Sequence, residues 1–284
     1  MSEHGPTRQR LDRALEGVRR AFHVLTDPGH VRVNETPRRQ ILGVGKLRVL
    51  RYLRQTPPAH PVPLLLVPPF LVKPYIFDLH PGRSLAAFWL ERGFDVFLVD
   101  FGIPDETDLH VRFDDYVLNY LPKTVDAIGL ETGQARVSML GYCVGGLFCL
   151  LYGATVGRPR LANLILLATP VDYGKMGLVS MVAQKAHREI EFLIDKLGNV
   201  PGVIPALGMQ VANPLSVVTR YVDLFTHAVN EEFVQSWHSL SAWMHDFIPG
   251  PRDAYKEFFQ DYVVSNNLLT GAARVGGEPA DLKR

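Results

Sequence analysis

The sequence predicts an α/β fold, in which helices cover both faces of a mostly parallel sheet. Short, continuously apolar runs alternate with helical patterns, as buried parallel strands do: residues 63–67, 95–99, 136–140 and 161–168. A glycine-rich turn around Cys143 joins the third of these runs to the helix that follows it. From residue 172 to 262, helical patterns and frequent aromatic residues replace the strands, which indicates a helical cap inserted over the sheet.

The first half of the core is expected to contain two strands, one helix and a third strand. The strands are predicted at residues 47–53 and 63–67, where a pair of prolines ends the second one. The helix at 85–92 ends at Gly93, a residue common just past a helix C-terminus. The third strand follows directly at 95–99.

The second half of the core leads to the cysteine turn. A helix is predicted at residues 114–130, with a kink at Pro122 because proline cannot donate the helical hydrogen bond. A strand at 136–140, a helix at 147–154 and a strand at 161–168 follow. The tail from 271 to 284 is expected to be loop.

These patterns divide the chain into four parts. Residues 1–40 are an N-terminal helical arm, 41–171 the α/β core, 172–262 the cap, and 263–284 an incomplete return toward the core. Within the arm, apolar residues recur at helical spacing over 8–25. That helix either packs on the chain's own core or docks on a partner or a lipid-like surface.

Composition excludes several classes of function. The chain of 284 residues carries 30 basic and 29 acidic side chains, so its net charge of +1 gives no strong attraction to nucleic acid or anionic membrane. No signal peptide and no membrane-spanning stretch is recognisable, which favours the cytoplasm. No cluster of metal ligands and no phosphate-binding glycine loop follows a strand, so we expect no metal and no cofactor.

The turn Gly141-Tyr142-Cys143-Val144-Gly145-Gly146 has the form of a nucleophile elbow with cysteine in place of serine. Small residues are needed because the strand reverses into a helix with no room for side chains. The helix N-terminus is expected to stabilise a Cys143 thiolate and lower the thiol pKa. A buried cysteine that only packs is the alternative, and Cys149, inside the next helix, is interpreted as such a core residue.

An oxyanion hole is expected beside the nucleophile. The backbone N–H of Val144 would supply one donor. The second would come from the loop after the strand at 63–67, near Phe70 or Leu71. Cys143, Val144 and Phe70 are therefore the candidate catalytic positions.

The chain resembles the polyhydroxyalkanoate synthases, and most closely their short, two-subunit class. Over roughly residues 40–284, the resemblance rests on the elbow and on six further stretches: residues 67–75, 100–105, 168–172, 198–202, 243–246 and 276–283. It implies an α/β-hydrolase fold with a helical cap. It also implies polymerisation of (R)-3-hydroxyacyl-CoA through a cysteine thioester, with release of CoA. Expected partners are a growing polyester chain or granule surface, a second synthase subunit and a further copy of this chain, with localisation in the cytoplasm or at granules.

The aspartate and histidine of a triad are not assigned to any residue. Four histidines follow Cys143, and all lie in the predicted cap rather than after a strand: His187, His227, His238 and His245. The acids Asp223, Asp246 and Asp261 share that position. His245 is interpreted as a surface histidine rather than a substitute base. In the family these catalytic residues lie further along, so we expect a chain truncated at its C-terminal end, a split protein completed by a partner, or a degenerate subunit.

Two other functions stay open. Dienelactone hydrolases use a similar cysteine elbow, but they lack the long helical insert and the stretches at 67–75 and 100–105. A non-catalytic synthase-like protein would use its cap and N-terminal helix to bind granules or a true synthase. Polyester rather than free acid as the product would argue against a dienelactone hydrolase. Granule binding that persists in Cys143→Ala, with no release of CoA, would argue for the non-catalytic protein.

Overall fold

The computed structural model describes residue 19, residues 33–212 and residues 214–283. Its main sheet has six strands among these residues: β1 (Arg38–Val44), β2 (Leu47–Tyr52), β3 (Leu64–Val67), β4 (Val96–Asp100), β5 (Val137–Tyr142) and β6 (Leu161–Leu167). The four apolar runs and the strand near residue 47 are confirmed within one or two residues. The helical pattern at 8–25 lies outside the described residues, apart from residue 19.

The strand order is β1-β2-β4-β3-β5-β6. Strands β4, β3, β5 and β6 run parallel, while β1 pairs antiparallel with β2 and β2 antiparallel with β4. A mostly parallel sheet of this order, with a sharp strand-to-helix turn after β5, has the α/β-hydrolase fold. Strand β1 was not predicted, because its residues are half-buried or exposed and form no continuous apolar run.

Helices pack on both faces of the sheet and form the cap. Those around the sheet are α1 (Leu85–Glu91), α2 (Leu121–Thr132) and α3 (Val144–Ala154). The segment after β6 contains α4 (Leu178–Lys185), α5 (His187–Leu197), α6 (Val203–Ala212), α7 (Pro214–His227), α8 (Glu231–His245), α9 (Arg252–Glu257) and α10 (Asn267–Thr270). The prediction of a helical segment after the sheet is confirmed.

The helix predicted at 114–130 is confirmed as a continuous helical run over residues 113–132. Pro122 lies inside this run, as the second residue of α2, and the kink there stays a prediction. A π-helical turn, Tyr116–Tyr120, directly precedes α2, and both prolines and π-helical turns are sites at which helices bend. Helix α2 ends at Gly133, which adopts a left-handed φ of 72°.

The two faces of the sheet bury separate apolar clusters. Alternate residues of β3 point to opposite faces, with Leu65 and Val67 in the larger cluster and Leu64 and Leu66 in the smaller one. The larger cluster also holds Cys149, which is fully buried as predicted. Its centre is aromatic, where Tyr116 stacks on Phe148 with ring centroids 4.7 Å apart. Burial of this many aromatic rings provides much of the stabilisation of this face.

The end of the described chain is more ordered than the predicted loop. Strands β7 (Arg274–Val275) and β8 (Glu278–Pro279) form a small hairpin across Gly276 and Gly277. The Gly276 N–H donates to Asp114 Oδ2 at 2.7 Å, which ties the hairpin to the segment before the π-helical turn. Both glycines have positive φ, which the turn requires and which local periodicity does not reveal.

Strand β6 is an edge of the main sheet and has exposed apolar side chains at Ile165, Leu166 and Leu167. None of the helices in the described part of the chain is both long and apolar enough to cross a membrane.

Candidate active site

Cys143 lies between the end of β5 and the start of α3, in a backbone conformation that L-residues rarely adopt. Its φ is 52° and its ψ is −125°, a strain that costs roughly 1–3 kcal/mol. Two hydrogen bonds hold the turn: Cys143 N–H donates to Leu167 O, and Gly146 N–H donates to Cys143 O, both at 2.9 Å. The predicted nucleophile elbow is therefore present in its geometry.

The glycines of the elbow are required by close backbone packing. A Cβ at Gly141 would lie 2.4 Å from Gly146 Cα, and a Cβ at Gly145 would lie 2.2 Å from Val67 O. A Cβ at Gly146 would lie 1.8 Å from Thr169 Oγ1. The elbow therefore packs closely against both the end of β3 and the segment after β6.

The electrostatics of the Cys143 thiol differ from the sequence prediction. Burial raises its pKa, and the hydrogen bond from Val144 N–H to the sulfur lowers it by less. The prediction of a lowered pKa for the Cys143 thiol is therefore wrong, because desolvation disfavours the thiolate more than the helix N-terminus favours it. A reactive thiolate here needs a further partner to take the proton.

The two predicted oxyanion donors belong to the start of α3 and to the loop after β3. Val144 is the first residue of α3 and directly follows Cys143. Phe70 follows β3, next to the backbone of Val67 and Pro68 that Gly145 contacts. Its ring is fully buried and lies 5.8 Å from the Phe148 ring. The roles of these two amides remain a proposal.

The loop after β3 also binds the cap through hydrogen bonds and an ion pair. Trp243 Nε1 of α8 donates to Lys73 O at 3.0 Å. Asp246, just past α8, accepts from Tyr75 Oη at 3.1 Å and pairs with Lys73 Nζ at 2.8 Å. The Trp243 ring in turn lies 6.3 Å from Tyr142, the residue before the nucleophile. The cap therefore packs on the same loop that borders the elbow.

The segment after β6 contributes two buried hydroxyls that the sequence analysis did not identify. Ala168 has a positive φ of 49°, so the chain turns sharply at the end of β6. Thr169 Oγ1 and Tyr173 Oη are both buried and have no hydrogen-bond partner among the described residues. For Thr169 the sequence signal is the stretch at 168–172, which carries part of the family resemblance.

The described histidines do not supply a base to Cys143. His227 and His245 are exposed, and each bonds through Nδ1 to a backbone oxygen of its own helix. His187 likewise bonds to Gln184 O. His238 is half-buried, and burial lowers its pKa. Within the described residues, none of the hydrogen bonds of a histidine reaches Cys143, and no group of three or more His, Cys, Asp or Glu side chains could hold a metal ion.

Comparison with known proteins gives a consistent set of similarities. The family model described as "Poly-beta-hydroxybutyrate polymerase (PhaC) N-terminus" matches residues 31–89. A poly(3-hydroxyalkanoate) polymerase subunit PhaC of Haloferax mediterranei is 34% identical over 256 residues, covering 89% of this chain and 52% of that protein. The subunit of Allochromatium vinosum is 31% identical over 252 residues, covering 87% of this chain and 70% of that protein. The chain thus spans between about half and about two thirds of the length of these relatives.

Among solved structures, a thermostable carboxyl esterase from Bacillus coagulans is 15% identical, with a TM-score of 0.39, covering 55% of this chain and 51% of that one. An esterase from Rhodococcus is 16% identical, with a TM-score of 0.35, covering 75% of this chain and 74% of that one.

Proposed function

The chain belongs to the poly(3-hydroxyalkanoate) polymerase family, PhaC, and from that premise we propose that it is an acyltransferase that polymerises (R)-3-hydroxyacyl-CoA. The observation that carries the proposal is Cys143 at the strained tip of the elbow, between strand and helix. A strained backbone retained at the site of a nucleophile is typical of catalytic turns.

The first step is thiol–thioester exchange. The Cys143 sulfur attacks the carbonyl carbon of the hydroxyacyl-CoA, the new C–S bond forms, and the bond to CoA breaks with CoA thiol as the leaving group. Nucleophile and leaving group are both thiols of similar basicity, so the exchange needs little driving force. The N–H of Val144, and that of Phe70, would stabilise the tetrahedral oxyanion.

The second step forms the ester. The 3-hydroxyl of one unit attacks the thioester carbonyl of another, its proton passes to a general base, and the Cys143 sulfur leaves. The raised pKa of the Cys143 thiol makes a base necessary in the first step, and the weak acidity of the 3-hydroxyl makes one necessary in the second. A buried site favours the hydroxyl over water as the attacking group.

The apolar surface of the cap suits an association with polyester or with a second protein copy. Large apolar side chains are exposed on three helices of the cap, with Leu215 at 73%, Phe192 at 64% and Val203 at 61% exposure. Exposed apolar residues of this density mark interaction surfaces. We propose a granule surface, a further copy of the chain or a second synthase subunit as the partner.

The test is acylation of the 284-residue chain by (R)-3-hydroxybutyryl-CoA at alkaline pH, where the Cys143 thiol ionises without a base, followed by intact mass and by release of free CoA. We expect a thioester adduct on the wild type and on Cys149→Ala, the matched control, and none on Cys143→Ala. An adduct that persists on Cys143→Ala contradicts the assignment of the nucleophile. Free hydroxy acid without oligomer would favour a hydrolase, and granule binding by Cys143→Ala without any CoA release from the wild type would favour a non-catalytic subunit.

A further inference from the structure

Helix α7 of the cap has one buried face and one apolar face that is open to solvent. On the buried face, Leu224 and Ala228 pack against Trp237 of α8. On the open face, five apolar side chains are between 39% and 73% exposed; we call them the α7 stripe, and the last lies just past the helix: Leu215, Val218, Val222, Phe225 and Val229. An apolar surface of this extent marks a place where another element binds.

The spacing of the α7 stripe is typical of the contact line between two paired helices. Its residues follow one another at intervals of three, four, three and four positions. This alternation keeps apolar side chains on the side of a helix that faces a second helix. A helix that covers the stripe therefore needs a matching alternation in its own sequence.

The segment at residues 8–25, predicted as a helix from its sequence, has this alternation in the reverse order. Its apolar residues follow at intervals of four, three, four and three positions. In an antiparallel alignment each of them falls opposite a residue of the α7 stripe: Leu11 with Val229, Leu15 with Phe225, Val18 with Val222, Phe22 with Val218, and Leu25 with Leu215. Arg19, which the structure describes, is helical and exposed, as expected of a residue outside the apolar line.

The path of the chain brings this segment to the start of α7. Val33 packs on the same apolar cluster as Met244, near the end of α8. Arg220 Nη1, in the first half of α7, donates to Met244 Sδ at 3.0 Å. The seven residues 26–32 join the segment to Val33 and can span up to about 23 Å. The antiparallel order, which places Leu25 at the start of α7, is the order that this short connection favours.

The charges favour the same orientation. Residues 8–13 contain one aspartate and three arginines: Arg8, Arg10 and Arg13. In the antiparallel order they lie past the end of α7, where Glu231 and Glu232 are exposed in the first turn of α8. The parallel order would place them at the first turn of α7, which contains no acidic residue. Opposite charges therefore meet only in the antiparallel order.

We propose that residues 8–25 form a helix that packs antiparallel on the α7 stripe of the same chain. Of the two roles that the sequence leaves open for this segment, the inference selects packing on the chain's own fold. It does not depend on the chemistry at Cys143, so it stands or falls separately from the proposed function. Phe192 of α5 and Val203 of α6 lie outside the stripe, so they remain available to the partners proposed above.

Hydrogen exchange on the full 284-residue chain tests the contact. The variant is Val222→Asp, which places a charge at the centre of the α7 stripe. The matched control is Val182→Asp, because Val182 is also an exposed valine within a cap helix, α4, but lies outside the stripe. We expect the amides of residues 11–25 to exchange about tenfold faster in Val222→Asp than in the wild type or the control, because a helix without a packing partner is marginal in water. Equal exchange of these amides in all three chains overturns the inference.

A disulfide tests the register and the identity of the occupant. In a Cys143→Ala background, Leu15→Cys combined with Phe225→Cys should form an intramolecular disulfide on oxidation with diamide, detected by peptide mass after proteolysis. Cys149 is fully buried and should not react. The control pair, Leu15→Cys with Leu215→Cys, should stay reduced because the second site lies about 15 Å further along α7. A disulfide in the control pair, or in neither pair, overturns the inference. A covalent dimer in place of the intramolecular bond also overturns it and assigns the stripe to a second copy.

Discussion

The contact between Gly145 and the end of β3 gives a prediction whose size follows from the structure. In Gly145→Ala, the new Cβ would lie 2.2 Å from Val67 O and 2.6 Å from Pro68 O. Ordinary van der Waals contact needs more than 3.4 Å, so the gap must open by more than 1 Å at the first of these atoms. Both partners are backbone atoms, so no side-chain rotation relieves the overlap.

The expected cost is about 3 kcal/mol of unfolding free energy, the upper part of the usual range for overpacking. Strand β3 is buried on both faces between β4 and β5, so a shift there disturbs the pairing of two neighbours. A loss of this size raises the ratio of unfolded to folded chain by roughly a hundredfold. It is also a large part of the stability that a domain normally has.

Urea unfolding measures the effect, with Gly208→Ala as the matched control. Gly208 lies inside α6, where a Cβ meets nothing within 4 Å, so alanine there should stabilise by up to ~1 kcal/mol through helix propensity. The same substitution at two glycines should therefore change stability in opposite directions. A Gly145→Ala chain that unfolds at the wild-type urea concentration, with an unchanged slope, would refute the reasoning.

Three further predictions concern the thiol, the cap and the sheet edge. Because burial raises the pKa of the Cys143 thiol, the rate at which Cys143 is alkylated in Cys149→Ala should rise with pH. The rate should reach half its maximum at a pH above the ordinary thiol pKa of about 8.5, and a midpoint below pH 8 would contradict this. Asp246→Ala should cost about 1 kcal/mol in urea unfolding and speed hydrogen exchange of the Ile248 N–H that bonds to Leu71 O, while unchanged exchange would mean that the ion pair does not dock the cap. Ile165→Lys should reduce concentration-dependent self-association in sedimentation velocity, because a charge on an edge strand opposes strand pairing. Undiminished association would mean that a different surface mediates it.

Much of the core could be predicted because its signals are local. Continuous apolar runs such as Leu64–Val67 reflect burial on both faces, and the glycines around Cys143 reflect a turn that excludes side chains. Strand β1 was missed because an edge strand with half-exposed residues has no such run. The helix around Pro122 was predicted, whereas the π-helical turn before it was not, because local periodicity does not reveal a change of hydrogen-bond pattern.

The sequence by itself determined the α/β fold class, the position of the elbow and the identity of Cys143 as its central residue. Only the tertiary structure decided the sign of the thiol pKa shift and the docking of Trp243 on Lys73 across 170 residues of chain. The physical reason is the distance along the chain over which each effect acts. Backbone turns and apolar periodicity act over a few residues, whereas desolvation and side-chain contacts depend on which distant segments pack together.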